Sequence, residues 1–117
     1  MKKWSVVFES DAKKDFDNLD GSQKTQVAKA IDKVSQNPLP QSEGGYGKPL
    51  GNKGGNDLSG LLKIKLKRLG LRVIYRLVRE NEVMKIIVIS VRTDDEVYTL
   101  AAKRIQSSSS LTTNSPS

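Results

Sequence analysis

No histidine and no cysteine occur anywhere in the chain. Without histidine there is no ordinary general base near neutral pH, no Ser-His-Asp arrangement and no imidazole-based metal site. Without cysteine there are no disulfides, no thiolate metal centre and no thiol nucleophile. Long hydrophobic runs are missing too: apolar residues make up 36% of the chain, and no stretch approaches the ~20 residues of a membrane span. The opening "MKKWSVVFES" has two lysines and a short apolar patch, but lacks the long apolar region and the small-residue cleavage site of a secretory signal. These absences point to a cytoplasmic protein that uses no metal or cofactor and makes no membrane contact. At 117 residues the chain has room for one core.

Acidic residues are scarce only in the second part. Residues 1–43 hold seven lysines and seven acids, whereas residues 44–117 hold thirteen basic and six acidic residues, which is the whole excess of +7. No acid occurs between Leu58 and Arg79. A cationic surface gathered on one structural unit calls for a polyanionic partner, RNA or DNA first. A merely solvated charged face is the plainer alternative.

The stretch "KIKLKRLGLRVIYR" (Lys63–Arg76) shows why. Strand side chains alternate, so Lys63, Lys65 and Lys67 share one face while Leu62, Ile64 and Leu66 take the other. A turn at Arg68–Leu71 sets Lys67 opposite Arg72, Lys65 opposite Ile74 and Lys63 opposite Arg76, gathering the cations of both strands. Like charges so placed destabilise a sheet unless an anion visits.

Around this hairpin the pattern reads βααβββα. "WSVVF" is a first strand. Ser10 caps a short helix with Ala12, Phe16 and Leu19 on one face. Ser22 or Asp20 starts a second helix carrying Val27, Ile31 and Val34, and "NPLP" ends it. Residues 41–57 hold most of the glycines and read as a long loop, without the spacing of a phosphate-binding loop. Strands are expected at about 59–67, 71–79 and 82–92. A final helix starts at Thr93 or Asp94 with Val97, Ala101 and Ile105 inward; its first-turn acids fit capping better than a metal. From Gln106 on, "QSSSSLTTNSPS" has one apolar residue and no charge, so a folded domain over 1–105 and a disordered tail over 106–117 are expected. The expected fold is α+β: a small, mainly antiparallel sheet with an N-terminal helical hairpin on one face and a short C-terminal helix. The second face is expected to be open and basic.

Such a face can cleave RNA. The 2′-OH attacks its own phosphate once a base takes its proton, cations hold the phosphorane and an acid protonates the leaving 5′-oxygen. A lysine among other cations has its neutral form favoured and can serve as base. Arginine fits phosphate with two parallel bonds.

Here the residues resemble a known family. "SGLLKIKLKRLGLRVIYRLV" followed by "IIVISVRTDDEVYTLAAKRI" is similar to the RelE-type toxins of the RelE/ParE toxin–antitoxin superfamily. The likeness covers about residues 3–105 and rests on K-x-K-L, G-x-R-x-x-Y, V-I-S-V…R and E-V-Y-x-x-A-x-K-R-I taken together. It implies an endoribonuclease, a ribosome-dependent mRNA interferase. By motif the family's catalytic positions fall on Lys63, Lys65, Arg72, Arg92 and Tyr98. Lys63 or Lys65 would be the base. Its partner, with Arg72 and Arg92, would stabilise the phosphorane, and Tyr98 would stack on or orient the nucleotide. Lys67, Arg68 and Arg76 would hold RNA phosphate. Lys67 departs from the arginine of RelE, and the stretch between V-I-S-V and E-V-Y is shorter than in RelE. The implied partners are a cognate antitoxin, the ribosome and mRNA, with a toxin–antitoxin hetero-oligomer binding its own operator. Two alternatives carry the same fold or charge: a ParE-like DNA gyrase inhibitor and a non-catalytic RNA-binding protein.

Overall fold

The computed structural model describes residues 3–53, 56–91 and 96–105. It has the expected α+β architecture, with one more strand than expected. The first strand, β1 (Ser5–Phe8), is followed by helices α1 (Ser10–Asp17) and α2 (Gly21–Ser35) and a 3-10 turn (Gln41–Glu43). Four strands follow: β2 (Lys48–Lys53), β3 (Asn56–Leu66), β4 (Leu71–Val78) and β5 (Val83–Ser90). A helix over residues 96–105, α3, closes the described chain. Together the strands make one sheet in the order β1-β5-β4-β3-β2, with only the β1–β5 pair parallel. Arg92 and the tail 106–117 lie outside the described residues.

The helical hairpin is set by local chemistry. Asp20 caps α2: its carboxylate accepts from the Gln23 amide at 2.8 Å, and the Gln23 side chain accepts from the Asp20 amide at 3.0 Å. This reciprocal box satisfies two otherwise orphaned N–H groups, which makes Asp20 the cap, not Ser22. Before α1 it is Glu9 that stands at the cap position, with no side-chain cap bond, and Ser10 is the first helical residue. Val27, Ile31 and Val34 are buried one turn apart, as a 3.6-residue period requires. They pack with Ala12 on Leu62, Val73, Tyr75, Met84, Ile86 and Ile89 of the sheet. Phe8 and Phe16 meet edge to face, ring centres 5.6 Å apart.

Residues 48–53 correct the expectation of a loop over 41–57. They form β2, antiparallel to β3, with Lys53 opposite Asn56. Only Gly54 and Gly55 separate the two, and a two-residue Gly-Gly connection is a hairpin signal. The order is therefore βααββββα.

The expected pairing of β3 with β4 shifts as well. Leu66 faces Leu71, so Lys67–Gly70 form a four-residue turn, with Gly70 in the left-handed region at φ 65°. Lys65 lies opposite Arg72, Lys63 opposite Ile74 and Leu61 opposite Arg76. The cations keep a common face, because the shift preserves the alternation, but Lys67 leaves the strand.

The second face is only partly open. Alternation in β5 breaks between Ile86, opposite Tyr75, and Val88, opposite Ile74. This bulge turns both Ile87 and Val88 away from the hairpin, where they join Leu50, Leu61 and Ile74 beneath Val97, Tyr98 and Ala101 of α3. The expectation of an open face is corrected accordingly. β5 is covered on both sides, and only the flanks of α3 leave the sheet accessible.

Beyond Phe8, β1 no longer covers the edge of β5. Two side chains do so instead. Asp15 of α1 accepts from the Ile89 amide at 3.0 Å, and Arg104 of α3 donates to the Ile87 carbonyl at 2.8 Å. Arg104 also bonds Asp15 at 2.8 and 3.3 Å. One ion pair thus satisfies the strand edge and ties α3 to the helical hairpin.

A cationic sheet face as the candidate functional site

Rows of cations follow directly from strand register. Lys65, Arg72 and Ser90 form a first row across β3, β4 and β5. Lys48, Lys63, Ile74 and Val88 form a second, and Leu61, Arg76, Lys85 and Val7 a third. In each row two cations stand directly opposite: Lys65 with Arg72, Lys48 with Lys63, and Arg76 with Lys85. Each such pair costs about 0.2–1 kcal/mol of sheet stability.

α3 lies on the middle row. Near its start, Lys63 Nζ donates to the Tyr98 hydroxyl at 2.6 Å and sits 5.4 Å from the centre of that ring. Near its end, Arg104 reaches the edge of β5. The helix therefore crosses the strands and fixes the ammonium of Lys63 from above. Tyr98 is only 5% exposed and packs with Ile74 and Val88. Its ring is buried, and its hydroxyl accepts from Lys63. Lys65 is exposed, while Lys63 and Arg72 are half-buried.

Of the expected site residues, the structure brings Lys63, Lys65, Arg72 and Tyr98 together. Arg92 falls outside the described residues. Lys67 is exposed at the head of the β3–β4 turn. Arg68 lines a surface groove with Ser22, Thr25, Gln26 and Lys29 of α2, which puts it on the helical-hairpin side, away from the rows. Arg76 shares the sheet face but not the neighbourhood, since it stands opposite Leu61 and not Lys63. Sequence reasoning missed Lys48, hidden in the supposed loop, and Lys85, a single lysine in an apolar strand whose partner only the register reveals. Among the described residues no group of acids is arranged to hold a metal.

Chemically, the first two rows offer an exposed amine, an ammonium held by a phenol and a guanidinium, within one hydrogen-bonded sheet. This is a set of groups able to take one proton and hold a multiply charged phosphorane.

A five-stranded, mainly antiparallel sheet with a helical hairpin on one face and a crossing helix on the other defines an α+β class, and the comparisons make the class specific. The chain is 29% identical over 105 residues to a RelE-like toxin protein of Escherichia coli, spanning 89% of this chain and 99% of that one. Its fold matches E. coli toxin RelE in the free state, as a double arginine mutant, with TM-score 0.68 and 25% identity over 89% and 99% of the two chains. Isolated E. coli RelE matches with TM-score 0.62 and 26% identity over 87% and 98%. The RelBE2 toxin–antitoxin complex of Mycobacterium tuberculosis matches with TM-score 0.62 and 25% identity over 80% and 97%. No protein-family model matches the chain. In sequence and in fold, the chain is RelE-like.

Proposed function

We propose that the protein is the toxin of a type II toxin–antitoxin pair and a ribosome-dependent mRNA endonuclease that inhibits translation. The observation that carries this reading is the pairing of Lys65 with Arg72 beside the Tyr98-held Lys63, on a RelE-like fold. Lys65, the exposed amine, takes the proton of the 2′-OH. The 2′-oxygen forms a bond to the adjacent phosphorus, and the bond to the 5′-oxygen breaks. Arg72 and the Lys63 ammonium hold the charge that builds on the equatorial oxygens. The leaving 5′-oxygen takes a proton from the cationic set, to which Arg92 is assigned by motif. The products are a 2′,3′-cyclic phosphate and a 5′-hydroxyl, with no water or redox partner consumed. Tyr98 is a positioning residue: its hydroxyl and ring hold Lys63 over the sheet. An antitoxin supplies the missing acids when the protein is stored; the RelBE2 neighbour of Mycobacterium tuberculosis is itself a toxin–antitoxin complex.

Brief expression without an antitoxin tests the reading. Growth should stop, with new 5′-hydroxyl ends in translated regions of mRNA and intact DNA. Gyrase-linked DNA breaks with intact mRNA would replace it with a ParE-like activity.

A further inference from the structure

The third row of the sheet face remains unused by this chemistry. Arg76 and Lys85 stand directly opposite on β4 and β5, so their Cβ atoms are about 5 Å apart. Both are half-buried. Arg76 Nε is buried without a hydrogen-bond partner among the described residues. Asp32, Asp17, Glu43 and Asp15 pair with Lys3, Lys13, Arg79 and Arg104. A guanidinium and an ammonium carried by directly opposed residues match an anion that presents two oxygens, one for the fork and one for the point charge.

Arg76 lies four residues from Arg72 along β4, which is about 13 Å at the rise of a strand. The row between them carries α3, through Ile74 and Val88. The two cation pairs therefore flank the helix on one face of one sheet. A ligand reaching both must be long and repeatedly charged. At about 3.4 Å per nucleotide the straight interval equals four nucleotides, and a strand that passes around α3 to reach both pairs needs more.

The geometry points to Arg76 and Lys85 as a second RNA phosphate site, which grips the strand across α3 from the Lys65–Arg72 pair. It rests on the RNA reading above and adds a contact remote from the reacting phosphate. A carboxylate of a protein partner is the competing occupant. The shared face with Lys65 and Arg72 and the spacing of the pairs favour the polyanionic strand.

The test is fluorescence anisotropy of the full chain with a labelled oligouridine about ten nucleotides long over a salt series, alongside a labelled heptaglutamate peptide. Arg76→Gln and Lys85→Gln are measured singly and together, with thermal melts confirming that each variant folds. The double variant should bind oligouridine about 10-fold more weakly, and its slope of log affinity against log salt should fall by about 1.4, the value for two single-strand phosphate contacts. The proposal is overturned if affinity and slope are unchanged in the double variant, or if only peptide binding depends on the pair. Absence of any oligouridine binding by the parent also overturns it. In the first two cases, binding that still depends on Lys65 and Arg72 leaves the nuclease reading standing. Loss of one Gln variant to misfolding is covered by the other, because each removes one contact and about half the slope.

Discussion

Replacing Asp15 by alanine should be the most damaging single change outside the hydrophobic core. Its carboxylate accepts from the Ile89 amide and from both terminal nitrogens of Arg104. The side chains of Arg104 and Asp15 are only 18% and 20% exposed, so water replaces little of what is lost. Removal orphans an edge N–H of β5 and leaves a half-buried guanidinium with the Ile87 carbonyl and, as its one remaining acid among the described residues, Asp11 at 3.8 Å. A charge-assisted hydrogen bond contributes about 1.5–3 kcal/mol and a broken, largely buried ion pair about 3–5 kcal/mol. Because the site is partly open, about 3 kcal/mol is expected overall. For a domain of this size that lowers Tm by more than about 10 °C. Asp15→Asn keeps an acceptor for Ile89 and should lose about half as much. Urea melts of Asp15→Ala, Arg104→Met and the double variant give the coupling, expected at about 1–3 kcal/mol. Since Arg104 anchors the helix that carries Tyr98, the same changes should loosen Lys63 and lower cleavage at temperatures where the domain is still folded. A loss within about 0.5 kcal/mol, the usual range of surface substitutions, would refute the reasoning.

Other perturbations probe separate parts of the structure. Gly47→Ala should cost about 2 kcal/mol or more by denaturant melt, because a Cβ there would crowd Leu62 Cδ2 and lie 2.5 Å from the Tyr75 hydroxyl, forcing apart the 2.8 Å bond from Tyr75 to the Pro38 carbonyl. Burial pushes the Tyr75 phenol up, so that bond keeps its donor proton at physiological pH, and Tyr75→Phe should lose about 1 kcal/mol. Tyr98→Phe should lower the cleavage rate while leaving Tm nearly unchanged, since the ring still fills its place and only the Lys63 contact goes. The Arg79 guanidinium holds the Glu43 carboxyl below its usual range, so the carboxylate form is favoured on folding. Any stability difference between parent and Glu43→Gln should be present at neutral pH and vanish as pH falls through that lowered value.

How much of this could be read from the chain depends on whether the cause is local. Val27, Ile31 and Val34 repeat at helical spacing, and Asp20 with Gln23 spells a capping box, so α2 was legible. The β3–β4 hairpin was legible in kind because alternation separates Lys63 and Lys65 from Leu62 and Ile64. Its register was not, because a four-residue turn ending at Gly70 and a two-residue one leave the same cations on the same face. β2 was obscured by its own glycines: Gly54–Gly55 marks a hairpin turn as well as a loop. The bulge at Ile87 sits in an unbroken apolar run, where no alternation exists to be interrupted. Asp15 and Arg104 are 89 residues apart, and nothing near either one announces the other. The candidate site divides the same way: Lys63, Lys65 and Arg72 lie on one hairpin, while the Tyr98 contact and the Lys85 pairing come from tertiary structure.

The central claim is that the Lys65–Arg72 row performs proton transfer and phosphorane stabilisation on ribosome-bound mRNA. The measurement that tests it most directly is the single-turnover rate of cleavage of a defined mRNA on programmed ribosomes, by the parent and by Lys65→Ala, with a melt of each. The parent should cut the message. Lys65→Ala should abolish the cut while melting at or slightly above the parent temperature, because a like-charge contact with Arg72 has been removed. Undiminished cleavage by a folded Lys65→Ala would contradict the account.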